Sequence, residues 1–540
     1  MTESDRHTVS IQMGARAMSD VAALDVSDPG VLLDQNPFAP RFSCADDVVD
    51  DFVAIVRALP DHAALLHNGT TVSYRELAQS IGRHALRHRA LGSAVDAPSR
   101  LIGTVVSHSP AVVEELFGIL GAGAAFCPID SGLPVARQQL LAEVIGLDRM
   151  FASWDEASVA DDGVGAVESV PPRWRPEDPA YVLCTSGSTG RPKPVVVSRS
   201  ALAVTVRALR NLFALSPGDR VLQFASLGWD TCLEEILPAL TAGATVVFDD
   251  AAYSHSFPRF VRMLTEREVT VLDLPTAFWH ELVLFLHEEH AALPESVRLV
   301  VIGGERIDRT RLAQWRDRAT GHIRLLNTYG CTETTMVTHA VQLSGPDTEP
   351  AVSDGEAESP LGRALPHVRD HVTDEGELLV SGPALADGYL GLPERTAAEF
   401  PMIDHGDGPA RWFRTGDLVT RDANGLLYPR GRADEQVKVL GVRVHPAEVE
   451  THLSAHHAVR GAVVIGERSL GRTILAAYVV PVGAVTPGEL KRHLRGLLPS
   501  QFVPSKLIFV RELSFTASGK IDRAATQRAA TEQDTRGAGR

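Results

Sequence analysis

Short apolar runs alternate with helical patterns along most of this chain, from about residue 40 to about residue 430. The runs at residues 101–106, 245–248, 269–272 and 297–302 are rich in valine, isoleucine and leucine, and each has the length of a buried strand. The segments between the runs have helical patterns. Strands interleaved with helices pack in layers whose sheets are largely parallel. The pattern therefore predicts a multi-layer α/β fold.

The length of the chain predicts more than one structural unit. A chain of 540 residues corresponds to roughly three to four domain-sized units. Residues 1–40 lack sustained periodicity, so we expect a flexible N-terminal lead-in there. A polar turn at residues 429–434 precedes a final segment that has apolar runs of its own. We therefore expect a large core over residues 41–432 and a small C-terminal domain over residues 433–540.

The composition excludes several classes of protein. The formal net charge of −16 leaves no basic excess for phosphate backbones, which argues against nucleic acid or an anionic membrane as a partner. The five cysteines are isolated, so neither a disulfide framework nor a zinc site is expected. No run approaches the roughly 18 apolar residues of a membrane span, and the N-terminus lacks the apolar stretch of a signal peptide. We therefore expect a soluble, cytoplasmic protein.

A polar, glycine-containing loop follows the apolar run at residues 180–184. Its sequence is Thr185-Ser186-Gly187-Ser188-Thr189-Gly190-Arg191-Pro192-Lys193. Glycines let backbone N–H groups turn toward an anion, hydroxyl groups donate further hydrogen bonds, and the lysine adds positive charge. The spacing differs from G-x-x-x-x-G-K-[ST], in which lysine directly follows the second glycine. The loop therefore predicts either a phosphate site or an ordinary connection between two elements.

Other motifs follow in a fixed order along the chain. They are TVSYREL at 71–77, GAGAAFCPID at 121–130, NTYGCTE at 327–333, GELLVSG at 376–382, WFRTGD at 412–417, GRADEQVK at 431–438, LPSQFVP at 498–504 and SGKIDR at 518–523. With the loop, this ordered set resembles the adenylate-forming superfamily, and specifically stand-alone adenylation domains of nonribosomal peptide synthesis. The resemblance covers about residues 60–525. It implies a large N-terminal domain with helix-flanked parallel sheets and a β-barrel-like subdomain, and a small, mobile α+β C-terminal domain.

The resemblance implies a nucleotide site that binds ATP and Mg²⁺. The loop would hold the β- and γ-phosphates, Tyr329 would lie near the adenine, and Asp417 would accept hydrogen bonds from the ribose hydroxyls. Glu333 would bind Mg²⁺ and so act in catalysis. The implied ATP-binding residues are Thr185, Ser186, Gly187, Ser188, Thr189, Gly190, Lys193, Tyr329, Thr332, Asp417 and Arg432.

Two further roles are implied near the end of the chain. Lys520 matches the family's catalytic lysine, which would contact both the substrate carboxylate and the α-phosphate. Asp434 matches the hinge about which the small domain turns. Two positions depart from the family pattern, because Pro194 follows the loop lysine where glycine is usual and Cys331 stands where proline is most frequent. Proline removes a backbone N–H, so the loop is expected to be stiffer.

The segment that begins at Trp229 resembles the family's opening of the amino-acid pocket. Leu233, Ile236 and Leu240 recur at helical spacing, which predicts a helix. Asp230 matches the residue that binds the substrate's amino group, although it could also cap the helix. The implied substrate residues are Trp229, Asp230, Thr231, Glu234, Ala277, Val301, Gly303, Thr328, Met336, Val337 and Lys520.

Glu234 bears on the identity of the substrate. It follows Asp230 by four residues, so the two carboxylates would lie one turn apart on one face of the helix. Two buried like charges repel each other unless cations meet them. This favours a basic amino acid such as lysine, β-lysine or ornithine. The alternative is that Glu234 only stabilises the helix N-terminus or bonds to a neighbouring residue.

Together these features predict an amino-acid adenylating ligase. It would form aminoacyl-AMP and then transfer the aminoacyl group to the phosphopantetheine arm of a carrier protein. No carrier-type serine motif follows Lys520, so the carrier is expected to be a separate protein. One alternative is an acyl-CoA ligase of the same fold, since the sequence HPAEVE at 445–450 is ligase-like. The other is a nucleotide-binding regulatory protein without catalytic activity, against which Lys193, Glu333, Asp417 and Lys520 argue.

Overall fold

A computed structural model describes most of the chain. The described residues are 47–92, 101–147, 150–152, 174–187, 190–318, 320–349, 359–469, 472–514 and 522–537. The lead-in at residues 1–40 lies outside them, as do Ser188, Thr189 and Lys520. What was predicted for these parts therefore stays a prediction.

The helices alternate with strands along the described chain. They are α1 (Val48–Ala58), α2 (Tyr74–Gly92), α3 (Ala111–Gly121), α4 (Val135–Ile145), α5 (Arg199–Leu212), α6 (Thr231–Ala242), α7 (Phe257–Glu266), α8 (Thr276–Glu288), α9 (Arg309–Arg316), α10 (Pro393–Glu399), α11 (Pro446–Ser454), α12 (Pro487–Arg495) and α13 (Arg523–Gly537). None of the described helices is long and apolar enough to cross a membrane.

The strands belong to three larger sheets and three small ones. They are β1 (Ala63–His67), β2 (Thr70–Ser73), β3 (Leu101–Val106), β4 (Ala125–Asp130), β5 (Met150–Ala152), β6 (Pro179–Thr185), β7 (Lys193–Ser198), β8 (Arg220–Leu222), β9 (Thr245–Phe248), β10 (Val271–Pro275), β11 (Leu299–Gly303), β12 (Arg324–Gly330), β13 (Val337–Ser344), β14 (Arg363–Ala364), β15 (Arg369–Val372), β16 (Glu377–Ser381), β17 (Gly388–Tyr389), β18 (Met402–Asp404), β19 (Pro409–Arg411), β20 (Phe413–Arg421), β21 (Leu427–Arg432), β22 (Val437–Val439), β23 (Val442–Val444), β24 (Val459–Ser469), β25 (Arg472–Pro481) and β26 (Lys506–Phe509).

The largest sheet has nine strands in the order β14-β13-β12-β11-β10-β8-β9-β1-β2. The six strands from β12 to β1 are parallel to one another, and the outer pairs are antiparallel. The carboxyl ends of β10, β11 and β12 therefore lie side by side. In open α/β sheets this edge is where ligands bind.

A second sheet carries the glycine-containing loop. Its order is β17-β7-β6-β4-β3-β5, and the loop joins the antiparallel strands β6 and β7. One hydrophobic cluster contains Phe126 and Tyr181 of this sheet, Val246 of the nine-stranded sheet and Ile236 of α6. This packing positions the loop and the first turn of α6.

The remaining strands form smaller units. Strands β15, β16, β20 and β21 make a four-stranded antiparallel sheet in the region where a barrel-like subdomain was implied. After residue 433 come the hairpin of β22 and β23, the three-stranded sheet of β24, β25 and β26, and the helices α11 to α13. A large mixed α/β part followed by a smaller α+β part confirms the predicted fold class. The domain boundary itself and the mobility of the small domain stay predictions.

Candidate active site

A cavity of about 270 Å³ lies at the carboxyl ends of β10, β11 and β12. The first turn of α6, the 3₁₀ turn Thr332–Thr334 and the end of β6 complete its walls, together with part of the β22–β23 hairpin. Its lining includes Thr185, Ser226, Trp229, Asp230, Thr231, Glu234, Asp273, Gly303, Thr328, Cys331, Thr332, Glu333, Met336, Val337, Asp417, Arg432, Lys438, Gly441, Arg443 and Gln501. The cavity thus brings together residues from eight separate parts of the sequence.

Helix α6 begins at Thr231, directly after Asp230. Asp230 occupies the N-cap position, but its side chain makes no capping hydrogen bond. Its buried Oδ2 atom finds no donor among the described residues. Burial raises the pKa of Asp230 to about 6, against a hydrogen bond with Thr332 that lowers it, and the charge of Glu333 adds to the rise. Helix capping therefore does not account for this carboxylate, which is open to a positively charged ligand.

Glu234 lies one turn further along α6 and faces a carboxylate that the sequence analysis missed. Asp273, in the middle of β10, is hydrogen-bonded to Glu234, and both side chains are buried. Burial raises the pKa of Asp273 to about 7, and burial together with the Asp273 charge raises the pKa of Glu234 well above its ordinary value. The available signal for Asp273 in the sequence was its position directly after the apolar run at 269–272. A carboxylate in a central strand rarely lies unpaired, so this position indicates a partner.

The next carboxylate of α6, Glu235, has a structural role. It accepts hydrogen bonds from the backbone N–H groups of Phe224 and Ala225, each at 2.9 Å, and from the side chain of Gln223 at 3.1 Å. These contacts fix the segment after β8 against the helix. Glu235 does not line the cavity, in contrast to Glu234.

The remaining residues of the predicted amino-acid pocket are neutral. Among them, Trp229, Thr231, Gly303, Thr328, Met336 and Val337 line the cavity. A Cβ atom at Gly303 would lie 2.8 Å from Thr328 Oγ1, so only glycine permits this close approach. Ala277 and Val301 are buried but are not among the lining residues. Ala277 is the second residue of α8, and Val301 pairs with Asp273 in the sheet.

The described part of the glycine-containing loop is a tight β-hairpin connection. Thr185 pairs with Lys193 across β6 and β7. A Cβ atom at Gly187 would lie only 2.0 Å from the carbonyl oxygen of Arg191, and Gly190 has φ +80°. Both positions therefore require glycine. The hairpin brings Thr185, Ser186 and Lys193 to the edge of the nucleotide side of the site.

Pro194 is accommodated within β7. It pairs with Cys184 of β6, and its carbonyl oxygen accepts a hydrogen bond from the N–H of Leu390 at 2.8 Å. The missing N–H is thus compatible with the local pairing. Cys331, the other departure, lines the cavity, and burial raises the pKa of its thiol to about 12.

Glu333 is the most heavily contacted carboxylate of the site. It accepts hydrogen bonds from Thr185 Oγ1 at 3.3 Å and Tyr389 Oη at 3.0 Å, and Arg443 Nη1 lies 3.5 Å from its Oε2 atom. Lys193 Nζ lies 3.9 Å from Oε1. Burial alone would raise the pKa of Glu333, but the charges of Arg443 and Lys193 hold it below the ordinary value. An ionised carboxylate beside a hydroxyl group offers the oxygen ligands that Mg²⁺ prefers.

The predicted ribose residues form one network. Tyr329 Oη donates a hydrogen bond to Asp417 Oδ2 at 2.7 Å, and Arg432 Nη1 donates to Asp417 Oδ1 at 2.6 Å. The same guanidinium bonds both oxygens of Asp434, at 2.6 and 2.8 Å. Burial would raise the pKa of Asp434, but its hydrogen bonds with Arg432 lower it. The predicted hinge residue is therefore linked to the predicted ribose carboxylate by one arginine.

The β22–β23 hairpin supplies site residues that the sequence analysis did not single out. Lys438 Nζ lies 5.4 Å from the ring centroid of Tyr329. Gly441 donates its N–H to Glu305 at 2.8 Å, and the Arg443 carbonyl accepts a hydrogen bond from Ser186 Oγ at 2.8 Å. Arg443 lies shortly after the GRADEQVK motif, which ends at Lys438. This closeness to a motif was the available signal for Arg443 in the sequence.

A second cavity, of about 340 Å³, adjoins the first. The two cavities share Ser226, Trp229 and Gln501 in their linings. The second is otherwise lined by residues of β4, β6 and α4, and by Arg495 and residues 498–502 of the C-terminal part. Asp417, Arg432 and Glu333 line the first cavity but are not among the lining residues of the second.

Family models match both parts of the chain. The AMP-binding enzyme family matches residues 52–390, and the AMP-binding enzyme C-terminal domain matches residues 448–520. An isonitrile lipopeptide synthase of Streptomyces coeruleorubidus is 38% identical over 495 residues, which are 87% of this chain and 33% of that protein. The phosphinothricin tripeptide synthetase PhsC of Streptomyces viridochromogenes is 34% identical over 507 residues, 87% of this chain and 44% of that protein. The chain thus spans less than half the length of these relatives.

Solved structures share the fold. An artificially fused adenylation–PCP di-domain, NpsA-ThdA from Klebsiella oxytoca, superposes with a TM-score of 0.74 at 24% identity and covers 86% of this chain and 94% of its own. The structure of IdnL1 superposes with a TM-score of 0.71 at 26% identity, covering 88% of this chain and all of its own. The motif order, the site geometry and the matched models agree, so this chain belongs to the AMP-binding enzyme family, as an adenylation domain of the nonribosomal peptide synthetase type.

Proposed function

We propose that this chain activates a basic amino acid with ATP and passes it to a carrier protein as a thioester. The observation that carries the proposal is a single cavity with an acidic end at Asp230, Glu234 and Asp273 and a nucleotide end at Glu333, Asp417 and Arg432. An amino acid with a second cationic group would neutralise the acidic end. Its carboxylate would then face the nucleotide end.

In the first step the substrate carboxylate attacks the α-phosphorus of ATP. A new oxygen–phosphorus bond forms, the bond to the bridging oxygen of the β-phosphate breaks, and pyrophosphate leaves. Asp230 binds the α-amino group, and Asp417 with Arg432 positions the ribose. Lys193, Thr185 and Ser186 lie at the phosphate side, where a buried ammonium group and hydroxyl donors stabilise the leaving group.

Two parts of the site complete this step. When Mg²⁺ is bound, it neutralises phosphate charge, and Glu333 with Thr185 would hold it. Lys520 is proposed to contact the carboxylate and the α-phosphate as they react. Each role follows from the chemistry of the residue and from its position in the family's motif.

In the second step a phosphopantetheine thiol attacks the aminoacyl carbonyl, and AMP leaves. The second cavity supports this step because it shares Trp229 with the first and is not lined by Glu333, Asp417 or Arg432. A carrier protein is proposed as the thiol source; NpsA-ThdA contains such a domain beside its adenylation domain.

Substrate-dependent ATP–pyrophosphate exchange tests the first step. Lysine, β-lysine and ornithine are compared with norleucine, whose side chain is neutral, and with the common amino acids. We expect the basic amino acids to give the highest kcat/KM. Lys520→Ala should lower exchange by at least about 100-fold while the protein stays folded. A strong preference for a neutral side chain would remove the basic-substrate proposal, and no exchange with any amino acid would remove the function.

A coenzyme A ligase of the same fold is the second candidate, because the sequence HPAEVE at 445–450 is ligase-like. Asp230 favours the amino-acid function, since its Oδ2 atom finds no donor among the described residues and suits an amine. Incubation of the enzyme, ATP and the preferred amino acid with either a phosphopantetheinylated carrier protein or coenzyme A separates the two. Faster thioester formation on coenzyme A would favour the ligase.

A further inference from the structure

We infer that Asp273 and Glu234 together form a receptor for the distal cation of the substrate, and that binding of this cation releases a proton from the pair. The inference rests on the proposed adenylation of an amino acid and adds which groups select the substrate. Asp273 contributes from β10 and Glu234 from α6, so two different elements of the fold create the receptor.

Within the described part of the chain, no cationic partner explains the burial of the pair. Asp273 is 6% exposed, and its Oδ2 atom finds no hydrogen-bond donor among the described residues. Of the described residues, no lysine, arginine or histidine pairs with Glu234 or Asp273. The cations that line the cavity are Arg432, Lys438 and Arg443, and the two arginines are engaged by Asp417 and Glu333 at the nucleotide end. Buried carboxyl groups without a cation are costly, so their retention points to a ligand that supplies one.

The surroundings of the pair are acidic. The titratable groups around it are Asp230, Cys232 and Glu235 of α6, Tyr181 of β6 and, beyond Asp230, Glu333. None of them is a cation. Two carboxyl groups within hydrogen-bonding reach cannot both ionise at neutral pH, so they hold protons between them in the absence of substrate. The raised pKa values of Asp273 and Glu234 agree with this.

A distal ammonium group on the substrate shifts the Asp273–Glu234 pair from its protonated form toward its ionised form. It donates up to three hydrogen bonds, which can reach both carboxyl groups, and its charge favours their ionised form. A proton leaves the pair for solvent as the cation enters, so a neutral receptor becomes an anionic one. A neutral aliphatic side chain cannot drive this change, and it would leave the carboxyl groups without a polar partner.

The sign of the pH dependence follows. Below about pH 7 the pair is protonated in the free enzyme, since the pKa of Asp273 is about 7. Cation binding is then opposed by the loss of a bound proton. The KM for the basic amino acid should therefore fall as pH rises from 6 to 8. The α-amino contact with Asp230 is common to all substrates, so the ratio of the KM for lysine to the KM for norleucine isolates the distal receptor.

The test combines variants with calorimetry. Asp273→Asn and Glu234→Gln should each raise the KM for the preferred basic amino acid by about thirtyfold, the cost of removing one partner of a buried charged contact. The ratio of the KM for lysine to the KM for norleucine should rise by a similar factor in both variants. Glu235→Gln is the matched control, a buried carboxylate of the same helix outside the cavity; it should lower the melting temperature without changing substrate preference.

Isothermal titration of the wild-type enzyme with lysine, β-lysine and ornithine, in buffers of different ionisation enthalpy, measures proton release without any variant. Release of between about half a proton and one proton at pH 7, absent with norleucine, supports the receptor. Two results overturn it: no proton release, or an unchanged lysine-to-norleucine KM ratio in folded Asp273→Asn. In either case, exchange with a neutral amino acid would leave the adenylation function standing, whereas no exchange with any amino acid would contradict that function instead.

Discussion

At the scale of single residues, two cations compete for the carboxylate of Glu333: the Arg443 guanidinium and the proposed Mg²⁺. Arg443 lies beside its Oε2 atom, and the same carboxylate is the proposed Mg²⁺ ligand. Burial would lower the pKa of Arg443, but the charge of Glu333 holds it above its ordinary value, so the arginine is ionised. A carboxylate shared in this way binds the metal ion more weakly than a free one.

Replacement of Arg443 by glutamine should therefore lower the Mg²⁺ concentration that gives half-maximal pyrophosphate exchange. We expect a decrease of about three- to tenfold, because the contact of 3.5 Å is longer than an ideal ion pair. Mg²⁺ titrations at saturating ATP and amino acid measure the effect. An unchanged or higher Mg²⁺ requirement in the folded variant would contradict it.

At the scale of elements, the sequence analysis was most accurate where periodicity alone decides. Strands β3 and β9 have the predicted bounds, and α6 follows its apolar spacing from Thr231. Strand β10 was placed at 269–272 but runs over Val271–Pro275, because it is a central strand that stays paired through Asp273. A carboxylate in that position interrupts the apolar run without interrupting the strand.

The parts of the site that were missed depend on contacts between distant elements. Glu234 was identified from its spacing to Asp230, which is fixed by one helix. Its contact with Asp273 requires α6 to lie beside β10, and the contact of Arg443 with Glu333 requires the β22–β23 hairpin to reach the 3₁₀ turn Thr332–Thr334.

 Neither contact can be predicted from spacing within one motif, since each joins residues that are close only after the elements have packed.

Helices α2 and α3 carry a buried ionic cluster whose effect on stability depends on pH. Glu115 of α3 bonds His84 Nδ1 at 3.1 Å and His88 Nε2 at 2.8 Å. Burial would raise the pKa of Glu115, but the two histidines lower it to about 2. A carboxylate with a depressed pKa stabilises the fold above its unfolded pKa of about 4.5, and this contribution is lost as pH falls toward 2.

Glu115→Gln should therefore destabilise the protein more at pH 7 than at pH 4. The lowered pKa of Glu115 contributes about 3 kcal/mol to the free energy of unfolding at pH 7, and roughly 1 kcal/mol of this contribution is lost by pH 4. Urea unfolding of both proteins at the two pH values measures the difference in the free energy of unfolding. A difference that is equal at pH 7 and pH 4 would contradict the assigned role of Glu115.

At the scale of the whole molecule, the C-terminal part is held against the core by buried polar contacts. Arg137 Nη1 of α4 lies 2.6 Å from Glu448 Oε1 of α11, with side chains 6% and 0% exposed. Burial raises the pKa of Glu448, against the charge of Arg137, which lowers it. Together with the Arg443–Glu333 pair, this contact keeps the β22–β23 hairpin at the cavity. Because Arg443 then lies where Mg²⁺ is proposed to bind, we expect this arrangement to serve the proposed thioester-forming step rather than adenylation.

Arg137→Met should accordingly slow carrier loading more than pyrophosphate exchange. Removing one partner of a buried ion pair costs about 3–5 kcal/mol where the pair is formed, so the thioester-forming arrangement loses population. We expect loading to fall at least tenfold while exchange stays within about threefold, measured with one enzyme preparation and a phosphopantetheinylated carrier protein.

The double variant Arg137→Met, Glu448→Gln should recover part of the loading rate, because no buried charge is left unpaired. Arg363→Met, which breaks the exposed pair with Glu349, is the matched control and should change neither rate. Equal losses in loading and exchange for Arg137→Met would show that the Arg137–Glu448 contact stabilises the fold without favouring either step.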